Sequence, residues 1–229
     1  MEKRTLDYVL VPSGVAIMVA YHLWLLYRIL RHPTKTVVGI NTINRRIWVQ
    51  TMMEDTTKNG ILAVQTLRNN IMASTLMATT AIMLSSVIAV LMTNSSLRGQ
   101  NYALGDNTDL CLSIKMFSVL VCFLLAFLLY VQSIRYYSHA NILINVPTAK
   151  TGLGTGYVSR AMNRGSYFWS MGLRAYYFSF PLIMWVFGAV PMVCCSLLMV
   201  LLLYFLDVYS GWGADGREVT GEEWAEAMC

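Results

Sequence analysis

The sequence predicts an all-α integral membrane protein: four transmembrane helices, with amphipathic cytosolic helices in the connections between spans 1 and 2 and between spans 3 and 4. Three observations predict it. Apolar runs cover about 9–29, 71–93, 114–133 and 180–206, and about 20 apolar residues span the hydrocarbon core of a bilayer. Hydrophobic residues make up 56% of the 229, charged residues only 13%, and mean hydropathy is +0.53, which excludes an ordinary soluble globule. The basic residues are also segregated. Arg28, Arg31, Lys35, Arg45, Arg46, Lys58 and Arg68 share the first long connection with only Glu54 and Asp55. Arg135, Lys150, Arg160, Arg164 and Arg174 share the second with no acid.

Lys and Arg in short loops stay cytoplasmic. Both long connections are therefore expected in the cytosol. The outer link holds Arg98 with Asp106 and Asp109, and the C-terminal end holds Arg217 among Asp207, Asp215, Glu218, Glu222, Glu223 and Glu226. On this reading both termini are non-cytosolic, in a plasma membrane or endomembrane. Residues 1–208 form one four-span domain, and 209–229 an acidic mobile tail. The net charge of +5 is explained by this distribution and implies no nucleic-acid partner.

The first run is expected to be a retained helix rather than a cleaved leader. Glu2 and Asp7 dilute its basic start, no small-x-small site ends it, and Arg28 and Arg31 follow at once. His22 lies in its cytosolic half, where a neutral, hydrogen-bonded ring is expected because no span offers an acidic partner. Pro33 stops the helix. From Thr42 to Asp55, Ile43, Ile47, Trp48 and Met52 recur at helical spacing around Arg45 and Arg46, predicting an amphipathic helix at the inner surface.

Asp55, Thr56 and Thr57 offer N-caps for a helix that continues through the second span without a breaker. In that span Ser74 and Ala78, then Ala81, Ser85 and Ala89, recur every four residues, the small-xxx-small pattern of close helix packing. Thr75, Thr79, Thr80 and Ser86 are expected to bond their own helix's carbonyls. The outer link carries a glycosylation sequon, Asn94-Ser95-Ser96, against the membrane, where it is expected to go unused.

The third helix starts with Lys115 at its edge and extends past the bilayer to near Pro147. Gly152, Gly154 and Gly156 then read as a plain loop, since no strand precedes them and no Lys-Ser/Thr follows. From Tyr157 to Arg174 a second interfacial helix is expected, leading into an aromatic belt at Tyr176, Tyr177 and Phe178. Pro181 suits the first turn of the last span and Pro191 a kink within it. Cys122, Cys194 and Cys195 fall inside spans; Cys111 and Cys229 fall on the expected outer side.

Catalysis is not expected: no His, Cys, Asp and Glu have metal spacing, and no span pairs carboxylates. No cofactor is implied. The candidate site is instead a rim of basic and amide groups, Arg68, Asn69, Asn70, Arg135, His139 and Arg174, brought to one membrane level by helix projection. An acid-poor rim suits anionic lipid headgroups or small anions; it equally suits side chains that only set orientation and snorkel to phosphates.

Asn44-Arg45-Arg46-Ile47-Trp48, Arg68-Asn69-Asn70-Ile71-Met72-Ala73-Ser74, Arg135-x-x-x-His139 and Gly172-Leu173-Arg174-Ala175-Tyr176-Tyr177-Phe178 together resemble the DUF599 family of multi-pass membrane proteins. That family has plant and bacterial members and no settled biochemical role. The resemblance runs to about Leu206, implies a compact four-span domain, and marks Asn44, Arg45, Trp48, Tyr176 and Tyr177 as an interfacial motif. Two functions fit. One is a passive channel or carrier, anion-selective if the basic rim lines its path, formed by a homo-oligomer. The other is a non-transporting protein that organises membrane lipids, through anionic headgroups, or partner proteins.

Overall fold

The computed structural model describes residues 2–93, 109–146 and 154–208. The Asn94 sequon, Lys150, Gly152, Cys229 and the acidic tail lie outside them. Among the described residues six α-helices follow one another: α1 Glu2–Arg31, α2 Val37–Glu54, α3 Thr56–Thr93, α4 Asp109–Leu143, α5 Thr155–Phe187 and α6 Ala189–Asp207, with a 3-10 turn at Pro33–Lys35. The described residues carry no strand, only an isolated bridge between Thr36 and Val208. Among the described residues four helical stretches are long and apolar enough to cross a membrane: Tyr8–Arg31, Thr56–Thr93, Leu110–Leu143 and Ala189–Asp207.

The helices contribute to two compact units. The first gathers Met1–Leu25, Ala78–Leu128 and Met171–Phe205. Its outward side chains are largely apolar: Val87, Leu125, Leu198 and Phe205 are all exposed. So much bare hydrocarbon is uphill in water and neutral in lipid. Inward, Ala78, Ala81 and Ser85 are buried as the small-residue pattern predicts, but Ala89 is exposed and Ile88 takes the buried position beside it. Ser85 and Ser86 bond the Ala81 and Ile82 carbonyls, so these hydroxyls serve their own helix. Gly14 of α1 lets Ser196 of α6 approach, an added Cβ standing 3.3 Å from its Oγ. Trp24 stacks on Tyr204 at 5.9 Å. Residue numbers rise together along α1 and α6, so these helices run parallel. Along α4 and α5 they run opposite, Phe123 meeting Tyr176 and Lys115 meeting Trp185.

The break in the last apolar run falls at Gly188, not at Pro191. Gly188 has φ 154, a backbone conformation open to residues without a Cβ. Pro191 then occupies the first turn of α6, where a missing N–H costs nothing. Pro181, expected to open a span, is buried inside the continuous α5, where a membrane helix tolerates it. Ser179 donates to the Tyr176 carbonyl in the preceding turn at 2.7 Å.

The second unit comprises Leu26–Met77, Leu129–Ser170 and the chain from Leu206. Its core is Val49, Met52 and Met53 of α2, Ala63 and Leu67 of α3, Tyr137 and Ala140 of α4 with Ile144, and Val158, Ala161 and Met162 of α5. α2 therefore buries a face in a helical core, with Trp48 packed at its edge and Ile47 55% exposed. Burying each large side chain contributes about 1.5–3 kcal/mol where the alternative is water. α3 and α4 run antiparallel here, Gly60 against Asn145 and Ser74 against Ser133. Gly156, read as loop, belongs to the first turn of α5.

Asp55 starts α3. Its carbonyl accepts the Asn59 amide at 2.9 Å, and its carboxylate accepts the Thr57 hydroxyl at 2.6 Å and the Lys58 amide at 3.1 Å. These bonds, the Thr57 hydroxyl foremost, hold the carboxyl below its ordinary 3.8. A depressed native value stabilises the helix start above that ordinary value and loses the contribution as pH falls through the native one. The protection of the Lys58 and Asn59 amides, measured against the intrinsic exchange rate at each pH, is expected to fall on acidification in wild type. In Asp55→Ala it is expected to be low already at neutral pH with no such acid step; an acid step surviving in the variant contradicts the cap.

Candidate functional site

Two polar arrangements stand out, one in each unit. In the first, Lys115 on α4 is 1% exposed although it sits in a membrane-length apolar helix. Its Nζ lies 5.6 Å from the centroid of the Trp185 ring on α5, and no carboxylate among the described side chains pairs with it. The indole face carries negative quadrupole charge that partly compensates an ammonium. Intramembrane cations are costly and mark functional positions. His22 of the same unit bonds the Met18 carbonyl through Nδ1 at 2.7 Å and packs on Phe178 at 4.8 Å. The expected hydrogen bond to its own helix is present.

In the second unit, Arg45 of α2 is half-buried. Its Nε donates to Asn163 Oδ1 at 2.9 Å and its Nη2 reaches Thr42 Oγ1 at 3.4 Å. Thr42 Oγ1 lies 3.1 Å from Tyr167 Oη and donates to the Val38 carbonyl at 2.8 Å. The four side chains join α2 to α5. Thr42 and Arg45 are three apart on one helix, Asn163 and Tyr167 four apart on the other, so each pair shares a face. Burial pulls the Arg45 guanidinium below its usual range, offset by Tyr137 and Tyr167; it remains a cation. One turn away, Ser133 donates to the Gly165 carbonyl at 2.8 Å and meets Ser74 at 3.3 Å, tying α3, α4 and α5 together.

The predicted rim residues belong to both units. Arg68, Asn69 and Arg135 are exposed and Asn70 half-buried in the second unit. Asn69 accepts from Gln65 at 3.5 Å, a long contact, and the Asn70 carbonyl accepts from Ser74. His139 is exposed and lies 3.1 Å from Tyr157 Oη. Arg174, half-buried, belongs to the first unit, with Tyr176 buried against Phe123 and Tyr177 half-buried beside it. Of the interfacial motif, Asn44 is exposed, Trp48 edges the core, and Arg45 is central. Thr42, Asn163, Tyr167 and Trp185 were missed. The i,i+3 and i,i+4 pairing of polar groups on α2 and α5 was the available signal, as was a lone lysine one residue inside an apolar run.

Helical throughout the described residues, with membrane-length apolar helices and lipid-compatible outer faces, the chain has the build of an integral membrane protein. Over residues 9–212 it matches the family described as "Protein of unknown function, DUF599", and it belongs to that family. No curated protein and no solved structure matches it.

Proposed function

We propose that the protein is a non-enzymatic, passive, anion-selective channel or carrier that works as a homo-oligomer, with its two basic connections in the cytosol. The observation that carries this reading is Lys115, a cation buried in a membrane-length helix beside an aromatic face, with no carboxylate partner among the described side chains. Fixed positive charge at low dielectric lowers the energy of an anion far more than the same charge does in water. The acid-free apolar runs 71–93, 114–133 and 180–206 argue against proton or sodium coupling. A ring of copies supplies the lumen that so few helices leave little room to enclose.

The arrangement of helices bears on sidedness. α6 parallels α1, and the residues that follow them, Thr36 and Val208, pair in a bridge. A helix parallel to α1 leaves the membrane on α1's exit side. The last part of α5, Met171 to Phe187, antiparallel to α4, then serves as a shorter fifth pass beside the four long helices: roughly 25 Å at 1.5 Å per residue, the lower limit for a span. On this reading the N-terminus is non-cytosolic and the acidic tail cytosolic, whereas charge segregation alone put both termini on the outer side. Acidic residues carry little weight in setting orientation, so the tail's charge is compatible with either side.

Anion flux from liposomes tests the function. Wild type is expected to release iodide at least about tenfold faster than protein-free vesicles, without matching potassium release. Lys115→Met is expected to slow this by about tenfold, ~1.4 kcal/mol, and Lys115→Arg to restore it. Protein that conducts nothing, yet retains anionic lipid through Arg68 and Arg135, would overturn transport in favour of the lipid-organising reading, which the exposure of those two arginines supports.

A further inference from the structure

We infer that the second unit contains a binding site for one oxyanion of the phosphate or sulfate class, built on Arg45 of α2 and Asn163 of α5. This goes beyond the transport reading and stands on different residues.

The argument is one of donors and acceptors. Arginine has only donors, so Asn163 must turn its Oδ1 toward the Arg45 Nε that bonds it at 2.9 Å. That fixes the amide and commits Nδ2 as a donor. Asn163 is 2% exposed and its Nδ2 meets no acceptor among the described residues. Of the five guanidinium N–H donors, one from Nε and one from Nη2 are engaged, by Asn163 and Thr42. Three remain on Arg45, and both hydrogens of Nδ2 remain on the Asn163 to which it is bonded.

The cluster thus gathers donors on a half-buried positive charge, and no carboxylate among the described residues pairs with that charge. An unpaired buried donor costs about 1–3 kcal/mol and a buried unpaired charge more. The complement to such a set is negative and accepts only: an oxyanion. The guanidinium fork matches two of its oxygens and the amide a third. A carboxylate-bearing peptide is the weaker candidate, since it brings donors of its own. Arg45 is only half-buried, which leaves an approach on its side, and α2, which carries it, is bounded by the Pro33–Lys35 turn and the break at Asp55.

The phosphate can come free in solution or on a lipid, and the experiment separates the two. The full chain in detergent is unfolded thermally in inorganic phosphate and in chloride at equal ionic strength. A free oxyanion site is expected to raise the wild-type midpoint by about 5 °C near saturation. Arg45→Lys keeps the charge without the fork and is expected to need at least about tenfold more phosphate. Asn163→Asp supplies an internal carboxylate; it is expected to be more stable in chloride and unresponsive to phosphate, so lost response cannot be blamed on unfolding. If the phosphate belongs to a lipid, wild type shows no phosphate shift but retains phosphatidate in native mass spectrometry, and Asn163→Asp does not. The inference is overturned if wild type shows neither response, or if both variants respond as wild type does.

Discussion

Gly39→Ala is expected to destabilise the protein by about 3 kcal/mol, the upper end for overpacking, and to lower its unfolding midpoint by about 6–12 °C. A Cβ at position 39 collides with the Pro33 carbonyl, and that carbonyl cannot step aside. It accepts the Thr36 amide at 3.0 Å and the Thr36 hydroxyl at 2.9 Å, while the pyrrolidine ring fixes the backbone behind it. Thr36 is fully buried and its Oγ1 caps α2 by accepting the Gly39 amide at 3.3 Å. The substitution therefore has to open the turn or unwind the first turn of α2. Thermal unfolding in detergent reads the loss, and accelerated amide exchange at Ile40 locates it. A variant as stable as wild type would mean that the turn and the helix do not meet as described.

Gly165→Val is expected to cost about 2–3 kcal/mol and to disturb the Arg45 cluster. An added Cβ sits 3.0 Å from two Tyr137 ring carbons. The ring is 5% exposed and belongs to the core shared by α2, α3, α4 and α5, so it has no free rotamer to retreat into. The Gly165 carbonyl also holds the Ser133 hydroxyl. Prising α4 from α5 there breaks that bond and shifts Asn163 and Tyr167, which sit within a turn on either side. A second substitution, Tyr137→Leu, makes room and is expected to recover part of the loss in the double variant, a coupling above 0.5 kcal/mol. Strict additivity would show that the ring is not what valine meets.

The apolar runs made the membrane-length helices legible from sequence, because hydrocarbon thickness imposes a length that few soluble segments reach. Asp55 and the unbroken α3 were legible for the same kind of local reason: a cap and the absence of breakers. The end of the chain was not. Phe180 to Leu206 reads as one apolar run, and only the backbone of Gly188 divides it, a conformation that a glycine permits without announcing. Two prolines drew attention to the wrong positions, since proline is accommodated inside membrane helices.

The site was half legible. Arg45 entered as part of a motif, and periodicity placed it at a membrane surface. Its partner Asn163 is 118 residues away, and only tertiary packing discloses that pairing. The exposed rim residues were chosen by level along the helices, which spacing gives. Whether their side chains converge depends on helix rotation, which it does not give.

Everything about sidedness depends on where the chain emerges after α6. Single cysteines at Lys150 and Glu223, in a cysteine-free background, are to be labelled with a membrane-impermeant maleimide in intact cells and again after permeabilisation. The account predicts that both positions stay unlabelled until the membrane is opened, while a cysteine at Thr5 reacts at once. Labelling of position 223 in intact cells, with position 150 protected, would contradict the parallel course of α1 and α6 across the bilayer.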